Sequence, residues 1–132
     1  MELVAQEHTM GCGIACVASA AGVSYEEALS KTESALILKR GCYLRELKEA
    51  LKKLGHNYNY KKYSEKDYDL LKNPGTIVFI RRSTNYPNGH YLLKTKKGWM
   101  DPWINCPEIA PAKAGYCKEL PGEPQWILFL EE

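Results

Sequence analysis

Gln6-Glu7-His8-Thr9-Met10-Gly11-Cys12-Gly13-Ile14-Ala15 is the stretch on which the reading of this chain turns. Cys12 stands between two glycines and is followed by small helix-building residues, the pattern of a thiol set at the start of a helix. Backbone N–H groups at a helix start point at such a sulfur, and the helix dipole favours negative charge there. Both effects lower the thiol's pKa towards the reactive thiolate. Gln6, just upstream, carries a side-chain amide able to help hold an oxyanion. An arbitrary cysteine is more often a small core residue. The flanking glycines and Gln6 set Cys12 apart, and a nucleophile needs a histidine and an orienting acid or amide from the rest of the chain.

Outward from this stretch, helices come first and strands second. Cys12 to Ala21 reads as a buried central helix of small residues, with Gly22 as its terminator. Ser24-Tyr25-Glu26-Glu27 has capping-box spacing and predicts a short helix ending near Ser30. Leu44, Leu47, Leu51 and Leu54 repeat at helical spacing, predicting an amphipathic helix from about Tyr43 to Leu54, ended by Gly55. Asn57 to Tyr63 alternates like a strand, Ser64 to Lys72 reads as a short capped helix, and Asn73-Pro74-Gly75 is a turn. Thr76 to Arg82 and Gly89 to Thr95 are strands joined by a polar loop. Lys96-Lys97 is the tip of a hairpin returning through Gly98 to Asp101. An irregular stretch follows Pro102 to Gly122, and Gln125 to Leu130 closes the chain as a strand. Helices in the first half and an antiparallel sheet in the second make an α+β domain, expected to be a single domain over residues 1–132.

The histidine is expected to be His90, which opens a strand near a sheet edge, exposed enough to meet substrate. With Lys96-Lys97 as a two-residue tip, Asp101 falls opposite Leu92 and diagonal to His90 on one face, where it can orient the ring. In this reading His90 takes the Cys12 proton, Asp101 fixes its tautomer, and a thioester forms and is hydrolysed. The oxyanion meets the Cys12 N–H and the Gln6 amide.

Composition narrows the alternatives. The formal net charge is +2 with the basic residues spread out, which gives no argument for nucleic acid. No apolar run is long enough to span a bilayer, and the N-terminus lacks the pattern of a signal peptide. Five cysteines without a Cys-x-x-Cys pair argue against a disulfide framework or zinc knuckle, and fit a reducing cytoplasm. His8, Cys12 and Cys16 are spaced by four and would form a metal-ligating stripe only if the helix began before Gly11, which the glycines oppose; no metal or cofactor is expected. Cys16 is expected to be packing, Cys42, Cys106 and Cys117 thiols without a role, and His56 a solvated cap residue. The tyrosines and tryptophans are chiefly packing, with Trp103 the one nearest the site.

Gln6 through Cys16, Gly22-Val23, Gly41-Cys42-Tyr43-Leu44-Arg45-Glu46-Leu47 with Leu54-Gly55-His56, Asn73-Pro74-Gly75-Thr76-Ile77-Val78, Gly89-His90-Tyr91-Leu92-Leu93 and Asp101-Pro102 together resemble, in order, the motifs of the C39 peptidases. These are papain-like cysteine proteases of bacteria, often found at the N-terminus of bacteriocin-exporting ABC transporters. The resemblance spans roughly residues 3 to 105 and implies a papain-like fold, Cys12, His90 and Asp101 as a triad, and cleavage of leader peptides after a double-glycine-type site. Peptide or protein would be the substrate, with small residues favoured near the scissile bond. The sequence carries no transmembrane or ATPase portion, so a role in export implies a separate membrane exporter as partner. The His90-to-Asp101 hairpin is short for the family, which leaves Asn105 open as the orienting amide. Two other readings remain open. One is a glutamine deamidase or acyl transferase on the same triad, the other a non-catalytic peptide-binding module.

Overall fold

The computed structural model describes residues 1–108 and 111–131; Ile109 and Ala110, within the expected irregular stretch, and Glu132 lie outside the described residues. The first half is helical and the second half builds an antiparallel sheet, so the chain is α+β. Helix α1 (Cys12–Ala21) begins at Cys12 as the glycines require: a Cβ on Gly11 would run into the Tyr25 hydroxyl. It ends at Gly22, whose φ of 72° is left-handed, with Val23 N–H closing onto Ala18 O at 2.9 Å. All residues from Gly13 to Ser19 are buried, because α1 lies against the sheet with α2 (Tyr25–Ser30) and α4 (Leu44–Lys53) on its flanks. The Ser24 hydroxyl accepts the Glu27 N–H at 3.0 Å and starts α2. Leu47, Ala50 and Leu51 bury the apolar stripe of α4, while Tyr43 and Leu54, expected inside that helix, are its caps.

A further helix, α3 (Ser34–Arg40), interrupts what the sequence pattern left blank. Ile37 is fully buried while Leu36 is exposed, so no apolar stripe marks it. The expected helix from Ser64 to Lys72 is a 3₁₀ helix, Glu65–Lys72. The Ser64 N–H and hydroxyl both donate to Asp67 Oδ2 at 3.1 Å, and Lys61 Nζ meets Asp67 Oδ1 at 2.7 Å, which ties this tight turn to β1.

The sheet runs β1 (Tyr58–Lys62), β6 (Pro124–Leu130), β2 (Ile77–Ile80), β3 (His90–Thr95), β4 (Gly98–Asp101), β5 (Gly115–Cys117), all neighbours antiparallel. Strand alternation sorts the core into two layers. Ile77, Tyr91, Leu93, Met100 and Leu128 face the helices. Val78, Ile80, Leu92, Trp99 and Ile127 face the other way, under Leu70, Leu71, Leu120 and Tyr86. The β3–β4 hairpin has the expected register, Thr95 opposite Gly98 and Leu93 opposite Met100. Continued by one pair, that register sets Asp101 opposite Leu92 and diagonal to His90. Two expectations change here. His90 does not stand at a sheet edge but at the end of an internal strand, because β2 pairs along one side of β3 and β4 along the other. The three-residue strand β5, hidden in the irregular stretch, takes the edge beside β4. Among the described residues no helix is long and apolar enough to cross a membrane.

Candidate active site

Cys12 and His90 meet where the start of α1 faces the start of β3. Gly89 makes that approach possible. Its φ is 76°, and the Phe79 ring occupies the space a Cβ would need, so only glycine suits the position before His90. His90 donates through Nε2 to Asp101 Oδ1 at 2.7 Å, which leaves Nδ1 as the ring nitrogen available to Cys12. Asp101 Oδ1 also accepts the Trp103 N–H at 2.9 Å, and Oδ2 accepts the Tyr86 hydroxyl at 3.3 Å. Tyr86 in turn stacks on the imidazole, 4.6 Å between ring centres and 14° from parallel. His90 is therefore 3 % exposed and not open to solvent as its strand-start position suggested.

The three groups charge one another. Burial alone would push the Cys12 thiol up. The His90 charge and hydrogen bond, with N–H groups of Tyr91 and Gly13 on the sulfur, more than offset burial and leave the thiol below its ordinary value. Burial likewise favours a neutral His90, yet the Cys12 thiolate and the bond to Asp101 raise the imidazole to about 10. Asp101 would be raised by burial, but its bonds to His90, Trp103 and Tyr86 hold it below the usual carboxylate range. In their charged forms, thiolate, imidazolium and carboxylate alternate in sign and favour one another. By contrast, burial pushes the thiols of Cys16 and Cys42 up, which keeps both protonated.

Gln6 has its side-chain amide engaged within its own loop. Its backbone N–H bonds Pro102 O at 3.1 Å and its side chain is 1 % exposed. Nε2 donates to His8 O at 2.9 Å and to Thr9 O at 3.0 Å, so both amide hydrogens are engaged. Its Oε1 is buried with no hydrogen-bond partner among the described residues. Asn105 does not face His90: it bonds Pro111 O at 3.1 Å and the Lys113 N–H at 2.7 Å, stapling its own loop. His8 lies before the start of α1, outside the stripe of Cys12 and Cys16, and its Nδ1 meets the Tyr25 hydroxyl at 3.0 Å.

A cleft of about 950 Å³ opens over Cys12 and His90. Met10, Cys42 and Tyr43 line its helical side; Tyr86, Asn88 and Trp103 line the other. The Tyr91 hydroxyl donates to Cys42 O at 2.9 Å and ties the helical wall to β3. Trp103 sits by the site, as its sequence position suggested, whereas the role of Tyr86 was missed. The one available signal was an aromatic residue four positions before His90 in a turn-forming loop. No protein-family model matches the chain, and no curated protein matches it.

Proposed function

We propose that this protein is a cysteine peptidase of papain-like fold, similar to the C39 peptidases, that cleaves an amide bond through a thioester. The observation that carries this reading is the His90 Nε2 bond to Asp101 at 2.7 Å, with the Cys12 thiol near enough to His90 that each favours the charged form of the other. The Cys12 thiolate attacks the substrate carbonyl carbon. The oxyanion that develops lies at the N-terminus of α1, where first-turn N–H groups have no intrahelical acceptor. The imidazolium gives its Nδ1 proton to the leaving amine as the C–N bond breaks. His90, now neutral, takes a proton from water, which attacks the thioester; breaking the C–S bond returns the thiolate. Asp101 holds Nε2–H throughout, so that Nδ1 is the nitrogen that exchanges the proton.

Rates of Cys12 alkylation by iodoacetamide across pH, read by mass spectrometry, test the nucleophile. The charged pair exists above the lowered titration of Cys12 and below that of His90 near 10. Cys12 should therefore react fast at pH values where an ordinary thiol, with its pKa of about 8.5, is almost wholly protonated. Alkylation of Cys12 no faster than that of Cys106 and Cys117 at mildly acidic pH would refute the reading. Cys12→Ser should abolish peptide hydrolysis while leaving the fold intact by circular dichroism.

A further inference from the structure

The segment from Gln6 to Gly11 carries the amide on the N-terminal side of the site and leads straight into Cys12. A hydroxyl from another helix is set into its middle. Tyr25, the first residue of α2, is buried and does not line the cleft. Burial pushes its hydroxyl up to about 12, so it stays an O–H. That hydroxyl meets His8 Nδ1 at 3.0 Å, and the two rings lie 5.8 Å apart, 27° from parallel. It also fills the space a Cβ on Gly11 would need, so the segment closes around one oxygen atom.

The His8 carbonyl is what this contact holds in place. It accepts the Gly11 N–H at 3.0 Å and one Gln6 Nε2–H at 2.9 Å, while Thr9 O accepts the other at 3.0 Å. The two carbonyls are not equivalent. Thr9 is exposed, so water can answer its oxygen when Gln6 leaves it. His8 is anchored at its ring by Tyr25 and at its carbonyl by Gly11. An amide that swings on one retained bond aims its freed N–H reproducibly only if that bond ends on a fixed atom. We infer that Tyr25 is a positioning residue for the oxyanion. Its hydroxyl fixes His8, the His8 carbonyl keeps one Gln6 N–H, and the other N–H leaves Thr9 O for the substrate oxygen as charge develops there. Gln6 Oε1, buried with no partner among the described residues, has no bond that resists the turn. The inference deepens the peptidase reading above and rests on it.

Two reagents for Cys12 separate an oxyanion effect from a general loosening. Iodoacetamide reacts at a saturated carbon: the C–S bond forms as iodide leaves, and no oxyanion arises. p-Nitrophenyl acetate reacts at its carbonyl: an oxyanion forms, nitrophenolate leaves with its electron pair, and an acetyl thioester remains on Cys12. Acetylation is read as the nitrophenolate burst above that of Cys12→Ser. Tyr25→Phe, which keeps the ring and removes the hydroxyl, should slow acetylation roughly three- to tenfold, the range of one neutral hydrogen bond, and leave alkylation unchanged. His8→Phe keeps a ring and removes Nδ1; it should give the same split, and it serves if Tyr25→Phe does not fold. In Gln6→Ala, adding Tyr25→Phe should slow acetylation no further, because both act through one amide. Unchanged acetylation in both ring variants, alkylation falling in step with acetylation, or a Tyr25→Phe effect that persists in Gln6→Ala would each overturn the inference. So would the absence of a burst from a Cys12 that iodoacetamide alkylates fast. Slow alkylation of the unaltered protein would instead overturn the peptidase reading itself, and the inference with it.

Discussion

The two sides of the Cys12 sulfur are built differently. On the sheet side, His90, Asp101, Tyr86 and Trp103 answer one another's polar atoms, with bonds of 2.7, 2.9 and 3.3 Å converging on one carboxylate. On the N-terminal side, the Gln6 amide uses both hydrogens on loop carbonyls and leaves Oε1 buried without a partner among the described residues. In the proposed peptidase the acid–base side is thus organised before any substrate arrives, and it needs no reorganisation during the proton transfers. The proposed oxyanion side would still have to rearrange. For Gln6 to hold an oxyanion, one bond to His8 O or Thr9 O must be exchanged for it. A charged acceptor makes the stronger bond, so the exchange is downhill once charge develops.

Asp101→Asn breaks the organised side, and its effect should be the largest. The amide offers an N–H or an oxygen to Nε2 and no longer stabilises the imidazolium, so peptide hydrolysis should fall by up to about 10⁴-fold. A loss under tenfold, in a variant that still folds, would show that the ring is held by packing under Tyr86 and not by the acid.

Gln6→Ala probes the other side. A free oxyanion donor is worth about 2.7–4 kcal/mol in the transition state. Because Gln6 must first give up a neutral bond worth about 0.5–1.5 kcal/mol, the loss in kcat should be smaller, roughly ten- to three-hundred-fold. Unchanged kcat would assign Gln6 to holding the His8–Thr9 loop alone, and leave the helix N-terminus as the whole oxyanion site.

Tyr86→Phe should cost least. It keeps the ring stacked on His90 and removes only the long 3.3 Å bond to Asp101. A two- to fivefold loss of rate is expected, below the usual worth of a bond to a carboxylate because this one is long at 3.3 Å. A loss exceeding that of Gln6→Ala would invert the contrast between the two sides.

Legibility in the sequence followed the range of the interactions involved. The start of α1 at Cys12, its stop at Gly22, the cap at Ser24 and the β3–β4 register all depend on residues a few positions apart, and all could be read. Helix α3 could not, since Ile37 alone marks its buried face. Strand β5 could not, since three residues carry no period. Nothing local announces that β6, last in the chain, lies between β1 and β2, and only pairing across the chain decides it. The same holds for His90, whose sequence position suggests an exposed strand start near a sheet edge and which is a buried residue of an internal strand.

By itself the sequence determined which chemical groups were on offer: a thiol between glycines at a helix start, a histidine opening a strand, and an aspartate one hairpin away. Those are properties of residue type and short spacing. Tertiary structure alone decided how their bonds are shared. It turned Asn105 to its own loop and Asp101 to the imidazole, laid Tyr86 over the ring, and bound the Gln6 amide to carbonyls close to it in sequence. A polar atom takes the partner that folding brings within about 3 Å, and a one-dimensional pattern does not contain that distance.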